Sequence, residues 1–179
     1  TGVLLAVTKI MIDNNWIDEN FVKSFTDFPL LVRTDTLRRL RPEEVFPNYK
    51  VKDISGGPSF SIQGLTPEQR DKIGDFAIWD AKKAAVVAVS RDEVGKHANL
   101  NAALLGSFRL RLLDGSEVEV MPVLEMYKRH LAAYTLETVQ EISGANPALV
   151  ARLAKDIWET SKAGHPVSLT AKRFAGASA

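Results

Sequence analysis

The sequence contains no cysteine. That absence excludes disulfides, thiolate-bound zinc, iron–sulfur ligation and thiol catalysis from within the chain. Histidine is nearly as scarce, with three in 179 residues. His97, His130 and His165 are scattered, and no two have ligand spacing, so structural or surface roles outrank a metal site. Neither sign of charge dominates, since 23 Lys and Arg face 22 Asp and Glu. Nothing electrostatic therefore recommends a nucleic acid or an acidic membrane surface as partner. Long apolar runs are missing too. The stretch "GVLLAVTKIMI" is broken by Thr8 and Lys9 and has about half of the ~20 residues a membrane helix needs. Neither a transmembrane segment nor a signal peptide is visible, nor any internal repeat or low-complexity tract.

What is present is a 45% hydrophobic chain of 179 residues, enough for a substantial core. Val3, Leu4, Val7, Ile10 and Met11 fall on one side of a helix ending near Asn14 and Asn15. Asp18 caps a second short helix, with Phe21, Val22 and Phe25 on its buried side. Leu30 to Val32 form a short buried strand, entered from Pro29. Residues 42–104 read as a loop-rich insertion, holding the hairpin "GDFAIWDAKKAAVVAVS" with its turn at Asp80 to Lys83. A stronger hairpin is "FRLRLLDGSEVEVMP", in which Phe108, Leu110, Leu112, Val118 and Val120 alternate around an Asp114-Gly115 turn.

Pro122 opens a helix through about Tyr134, with Val123, Met126, Tyr127, His130 and Leu131 along one face. Thr135 caps a helix that Gly144 ends. Asn146 and Pro147 start another, whose buried stripe runs Val150, Leu153, Ala154, Ile157, Trp158, Ser161 to a Gly164 C-cap. "HPVSLT" then reads as a returning strand, and helix, glycine, strand is the return stroke of an αβ unit. The expected fold is α/β: a Rossmann-like, partly parallel sheet with flanking helices plus a loop-rich β-hairpin insertion. Its parts are 1–41, 42–104 and 105–179. The chain opens on Thr1, inside an apolar helical pattern, and closes on small residues, as an incomplete fragment of a larger subunit would.

Candidate chemistry is sparse. Glu43-Glu44, Asp92-Glu93 and Glu117/Glu119 sit in solvated contexts rather than as acid–base pairs. "SGGPS" fails the strand-before, helix-after test for a phosphate loop. "RTDTLRRLR" carries Arg33, Arg38, Arg39 and Arg41, which could clamp an anion or a partner subunit but read first as a solvated connector. Lys172 and Arg173 follow the last strand. Ligands in doubly wound sheets lie beyond the carboxyl ends of strands, so this pair ranks ahead of the four arginines for holding an anion, although two basic residues near a chain end read first as simply solvated.

Two long stretches carry a family resemblance. "LLAVTKIMIDNNWIDENFVKSFTDFPLLVRTDTLRRLRPEEV" and "LLDGSEVEVMPVLEMYKRHLAAYTLETVQEISGANPALVARLAKDIWET" resemble, in order, segments of the molybdopterin oxidoreductases of the dimethyl sulfoxide reductase superfamily. The "TDFPLLVRTD" form looks most like the branch of respiratory nitrate reductase alpha subunits and the perchlorate, selenate, dimethyl sulfide and ethylbenzene enzymes.

The resemblance implies an internal part of a catalytic subunit. Its cofactor would be bis-molybdopterin guanine dinucleotide with molybdenum or tungsten, bound mainly by parts outside this chain, and its reaction oxygen-atom transfer or hydroxylation. Electrons would pass to an iron–sulfur partner subunit, with iron–sulfur clusters elsewhere in the complex. In the family a Gly-Thr-Asp turn against a pterin dinucleotide precedes the first helix, which implies a cofactor-side position for Thr1. The family loop matching Lys172 and Arg173 approaches the pterin. No catalytic or metal-ligating residue is expected here, and the fragment alone is expected to be inactive. The other partner implied is the remainder of the catalytic subunit, at the periplasmic or cytoplasmic face of a bacterial or archaeal membrane without insertion into it. The alternative is a non-catalytic α/β scaffold or subunit-interaction module derived from that family.

Overall fold

The computed structural model describes residues 1–52, 65–90 and 100–162. In chain order these form α1 (Gly2–Asp13), α2 (Glu19–Phe25), β1 (Leu31–Arg33), a 3-10 turn (Pro42–Glu44), α3 (Pro67–Ile73), β2 (Phe76–Asp80), β3 (Ala85–Val89), β4 (Phe108–Arg111), β5 (Glu117–Pro122), α4 (Val123–Leu131), α5 (Leu136–Ser143) and α6 (Pro147–Lys162). They divide into two compact units, one of Thr1–Ile17 with the described residues from Leu131 onward, the other Asp18–His130.

The first unit is helical. Ala6 and Val7 of α1, Val139 of α5, and Val150 and Ala154 of α6 make its buried centre, with Val3, Ile10, Met11, Leu153 and Ile157 packed around it. Each of the later helices is delimited by local chemistry. Thr135 Oγ1 accepts the Thr138 N–H at 3.2 Å, and Gly144 closes α5 in the left-handed region at φ 70°. Asn146 Oδ1 accepts the Ala148 N–H at 2.9 Å, and Pro147, which has no N–H to lose, takes the first helical position of α6. The expected stripe on α1 holds except at Leu4, which is 50% exposed. Leu4 is one residue, and so about 100° of helix rotation, past Val3; the buried face turns the other way, through Ala6. Ser161 is likewise exposed, and the predicted Gly164 cap lies outside the described residues.

The second unit is built on two small antiparallel sheets. One has the order β1-β5-β4 and the other pairs β2 with β3. Register in the first runs Leu31↔Pro122 to Arg33↔Val120 and Phe108↔Val120 to Arg111↔Glu117. Alternation along β5 explains it, since Val118 and Val120 are buried while Glu117 and Glu119 face out. Pro122 sits where β5 has outrun β4, so the ladder bond it cannot donate is not needed on that side. Leu31, Leu40, Ala77, Leu112, Val118 and Val120 form one buried cluster, and Trp79 stacks on Phe108 with ring centroids 4.2 Å apart.

Both expected hairpins form, but in the first the turn is at residues 81–84, one later than expected, because Asp80 still belongs to β2 and pairs with Ala85. In the second, Asp114 Oδ1 accepts the Ser116 N–H at 2.8 Å, and Gly115 supplies φ 87°. The fold is mixed α/β as expected, but every strand pair among the described residues is antiparallel. The connections explain the difference: β4 to β5 and β2 to β3 are direct reversals, which pair antiparallel strands. The strand expected at "HPVSLT" lies outside the described residues.

Two further expectations change. Phe21 and Phe25 are 55% and 58% exposed and pack on each other, with centroids 5.5 Å apart, while α2 turns Val22 inward. The Asp18 cap itself is as expected, accepting the Phe21 N–H at 3.0 Å. The helix after Pro122 begins at Val123 and ends at Leu131, short of Tyr134, and its His130 is exposed.

Candidate functional site

The richest constellation grows from a reversal of the chain between Leu31 and Leu40. The Leu40 N–H donates to Leu31 O at 2.9 Å, Arg33 N–H to Arg38 O at 2.8 Å, and Leu37 N–H to Arg33 O at 3.0 Å. Leu37 sits in the left-handed region at φ 55°, a conformation a leucine rarely adopts. Because the reversal is this tight, all four arginines of "RTDTLRRLR" line one pocket of about 620 Å³, together with Glu44, Asp75 and Phe76. The sequence reading placed these arginines on a solvated connector; the structure brings them to one depression.

They are not equivalent. Arg33 forks onto Asp35, Nε to Oδ1 at 3.0 Å and Nη2 to Oδ2 at 2.6 Å, and its Nη1 pairs with Glu44. The hydrogen bonds from Asp35 and Glu44 raise the Arg33 pKa above its ordinary value, and the Arg33 guanidinium holds the Asp35 carboxyl below the usual range. Arg41 contacts Glu43 at 3.2 Å and reaches the carbonyls of Asp71, Lys72 and Ile73 at 3.3 to 3.5 Å, the open carbonyl end of α3. That approach depends on Gly74. A Cβ there would lie 2.2 Å from Arg41 Nη2, and φ 71° with ψ −177° is glycine territory. Arg39 lies over the Phe76 ring at 4.6 Å.

Behind the pocket is a buried charge that sequence reasoning did not single out. Asp75 accepts from Tyr49 Oη at 2.6 Å, the Lys52 N–H at 2.9 Å and Arg70 Nη2 at 2.7 Å. Burial alone would raise its pKa, but the three donors outweigh that and hold it below the usual carboxylate range. Burial, and then the Asp75 carboxylate, push the Tyr49 phenol up. The signal that could have found the group is a lone acidic residue fused to the buried run "FAIWD", five residues after an arginine.

Of the residues favoured from sequence, Thr1 stands at the N-cap of α1. Its carbonyl accepts the Leu5 N–H at 3.2 Å, and its side chain makes no capping bond. Lys172, Arg173, His97, His165, Asp92, Glu93 and "SGGPS" lie outside the described residues. Glu43 and Glu44, expected to be solvated, instead hold Arg41 and Arg33. Among the described residues no group of three or more His, Asp or Glu could hold a metal ion, and no helix is long and apolar enough to cross a membrane.

In class, then, this is a mixed α/β chain with a helical unit, an antiparallel β unit and an arginine-lined pocket. No protein-family model matches it. It is 27% identical over 161 residues to perchlorate reductase subunit alpha of Dechloromonas aromatica strain RCB, covering 87% of this chain and 17% of that protein. It is 26% identical to chlorate reductase subunit alpha of Ideonella dechloratans, with 83% and 14% covered, and 25% identical to dimethylsulfide dehydrogenase subunit alpha of Rhodovulum sulfidophilum, with 89% and 15% covered. The chain is thus a relative, at modest identity, of alpha subunits of the dimethyl sulfoxide reductase superfamily of molybdopterin enzymes, and it spans about a sixth of their length.

Proposed function

We propose that this chain is an internal part of the catalytic subunit of a molybdenum oxidoreductase that uses bis-molybdopterin guanine dinucleotide and passes electrons to an iron–sulfur partner. The observation that carries the reading is that three alpha subunits, two reductases and one dehydrogenase, each align with more than four-fifths of the chain. The molybdenum or tungsten centre, when bound, supplies oxygen-atom transfer or hydroxylation together with the electrons that accompany it.

The fit of this chain to that group is partial. The described residues have no cluster able to ligate the metal, so on this reading the metal is held by other parts of the subunit. What the chain offers a dinucleotide is the first turn of α1, where the amides of Gly2, Val3 and Leu4 precede the first helical bond from Leu5 to Thr1 and no acidic residue opposes an anion. Lys172 and Arg173 complete the proposed cofactor-side set. The helical unit fixes the position of α1 by burying Ala6 and Val7 against α5 and α6.

The test is metal and pterin analysis of the complete subunit that carries this sequence. Molybdenum or tungsten together with the fluorescence of oxidised pterin is the expected result. A complete subunit free of both refutes the reading and leaves the scaffold alternative.

A further inference from the structure

We infer that the pocket under the 31–40 reversal binds a small anion with two or more charged oxygens, phosphate or carboxylate, through Arg38 and Arg39. This does not depend on the cofactor reading above. The pocket, of about 620 Å³, falls in the size range of small-molecule sites, ~300–1,000 Å³. Its charges divide in a way that leaves one sign in excess. Arg33 is consumed by Asp35 and Glu44, which leave one carboxylate charge over, and Arg41 by Glu43 and the carbonyl end of α3, so the two remaining guanidiniums still outweigh the surplus. The Asp75 carboxylate, which would repel an anion, is compensated from behind by Arg70.

Two guanidinium groups remain. Arg38 is exposed and has no side-chain partner among the described residues, and Arg39, also exposed, has its guanidinium carbon 4.6 Å from the centre of the Phe76 ring and no hydrogen-bond partner for that group among the described residues. A ring supplies no acceptor oxygen, so the donors of Arg39 remain available to an anion. The two side chains project from consecutive residues next to Leu37, which is 72% exposed and held at φ 55°. Residues held in such sparsely populated regions cluster at ligand clamps, and Leu37 stands directly beside these two cations.

The probes are sodium pyrophosphate and, separately, citrate, titrated calorimetrically into the full chain at low salt. Saturable binding of either supports the inference. Pyrophosphate alone marks a phosphate site, citrate alone a carboxylate site, and both mark a site that reads only the charged oxygens. Arg38→Gln with Arg39→Gln should weaken binding by about tenfold or more, because one charge-assisted hydrogen bond is worth at least that factor. The control is Arg109→Gln with Arg111→Gln, which removes the same charge from the solvent-facing side of β4 and should leave binding unchanged. No saturable binding of either probe, equal binding by the 38/39 variant, or an equal loss in the control would each overturn the assignment. Should the 38/39 variant unfold, Arg38→Gln alone is read the same way, since its side chain has no described contact to lose.

Discussion

Asp75→Asn isolates the energetics of the buried charge behind the pocket. The Asp75 side chain is 0% exposed and that of Arg70 12%, so solvent screening offers little relief. Asparagine keeps the shape and can still accept from Arg70 through its remaining oxygen. Its amide, however, turns two N–H donors towards a site built to accept. The Tyr49 hydroxyl can rotate and accept one of them, but the Lys52 N–H belongs to the backbone and is left facing a donor. An orphaned buried donor costs ~1–3 kcal/mol, and stripping one partner from a buried ion pair costs ~3–5 kcal/mol with the two effects overlapping, so about 3 kcal/mol is expected.

Urea denaturation should show that loss, and amide exchange at Lys52 should accelerate with it. The pH dependence follows from the sign of the shift. The folded-state pKa lies below the ordinary value of about 3.9, so the stabilisation is present above pH ~4 and is lost as pH falls through the folded value. The gap between wild type and Asp75→Asn should therefore be widest near neutrality and close in acid. A variant within ~1 kcal/mol of wild type at pH 7, less than the cost of one orphaned donor, or a gap that does not narrow on acidification, would refute the reasoning.

Gly74→Ala should be destabilising by more than the ~1–3 kcal/mol of a strained backbone conformation, because the new methyl also displaces Arg41; thermal melting checks it. Leu37→Asn should raise stability by up to ~1 kcal/mol, since asparagine tolerates the left-handed region and the exposed leucine has little burial to lose; chemical denaturation reads this out. Thr135→Ala removes the α5 cap and should cost ~1 kcal/mol by the same measurement. In the complete subunit, Lys172→Ala with Arg173→Ala should lower molybdenum retention by up to ~10- to 100-fold, measured by metal analysis.

Local punctuation was readable in the sequence. Asp18, Thr135, Gly144, Asn146 with Pro147, and the Asp114-Gly115 turn act through neighbours a few residues away, so pattern and chemistry coincide. Burial was less readable. Phe21 and Phe25 are as apolar as any core pair, yet which side of a seven-residue helix turns inward is decided by tertiary packing, here in favour of Val22. The pocket was only half visible. The arginines and their counter-ions Asp35, Glu43 and Glu44 all lie within a dozen residues, but which arginine each carboxylate takes is set by the reversal of the chain, and the far wall comes from Asp75, Phe76 and the end of α3, more than thirty residues on. Tyr49, Arg70 and Asp75 are separated by 21 and 5 positions, with no motif joining them.

The grip of Arg41 on the end of α3 bears on how this part of the chain can change. Seven residues are too few to hold a helix in water unaided, so α3 exists by virtue of being held. Lys52 is held through Asp75 and Arg70, and α3 is held at its carbonyl end by Arg41 and through its own Arg70 to Asp75 and Ser90. Arg70 is carried on that helix, so whatever loosens the hold of Arg41 on the carbonyl end also loosens the counter-ion of Asp75, and the arginine pocket and the buried charge behind it stand or fall together.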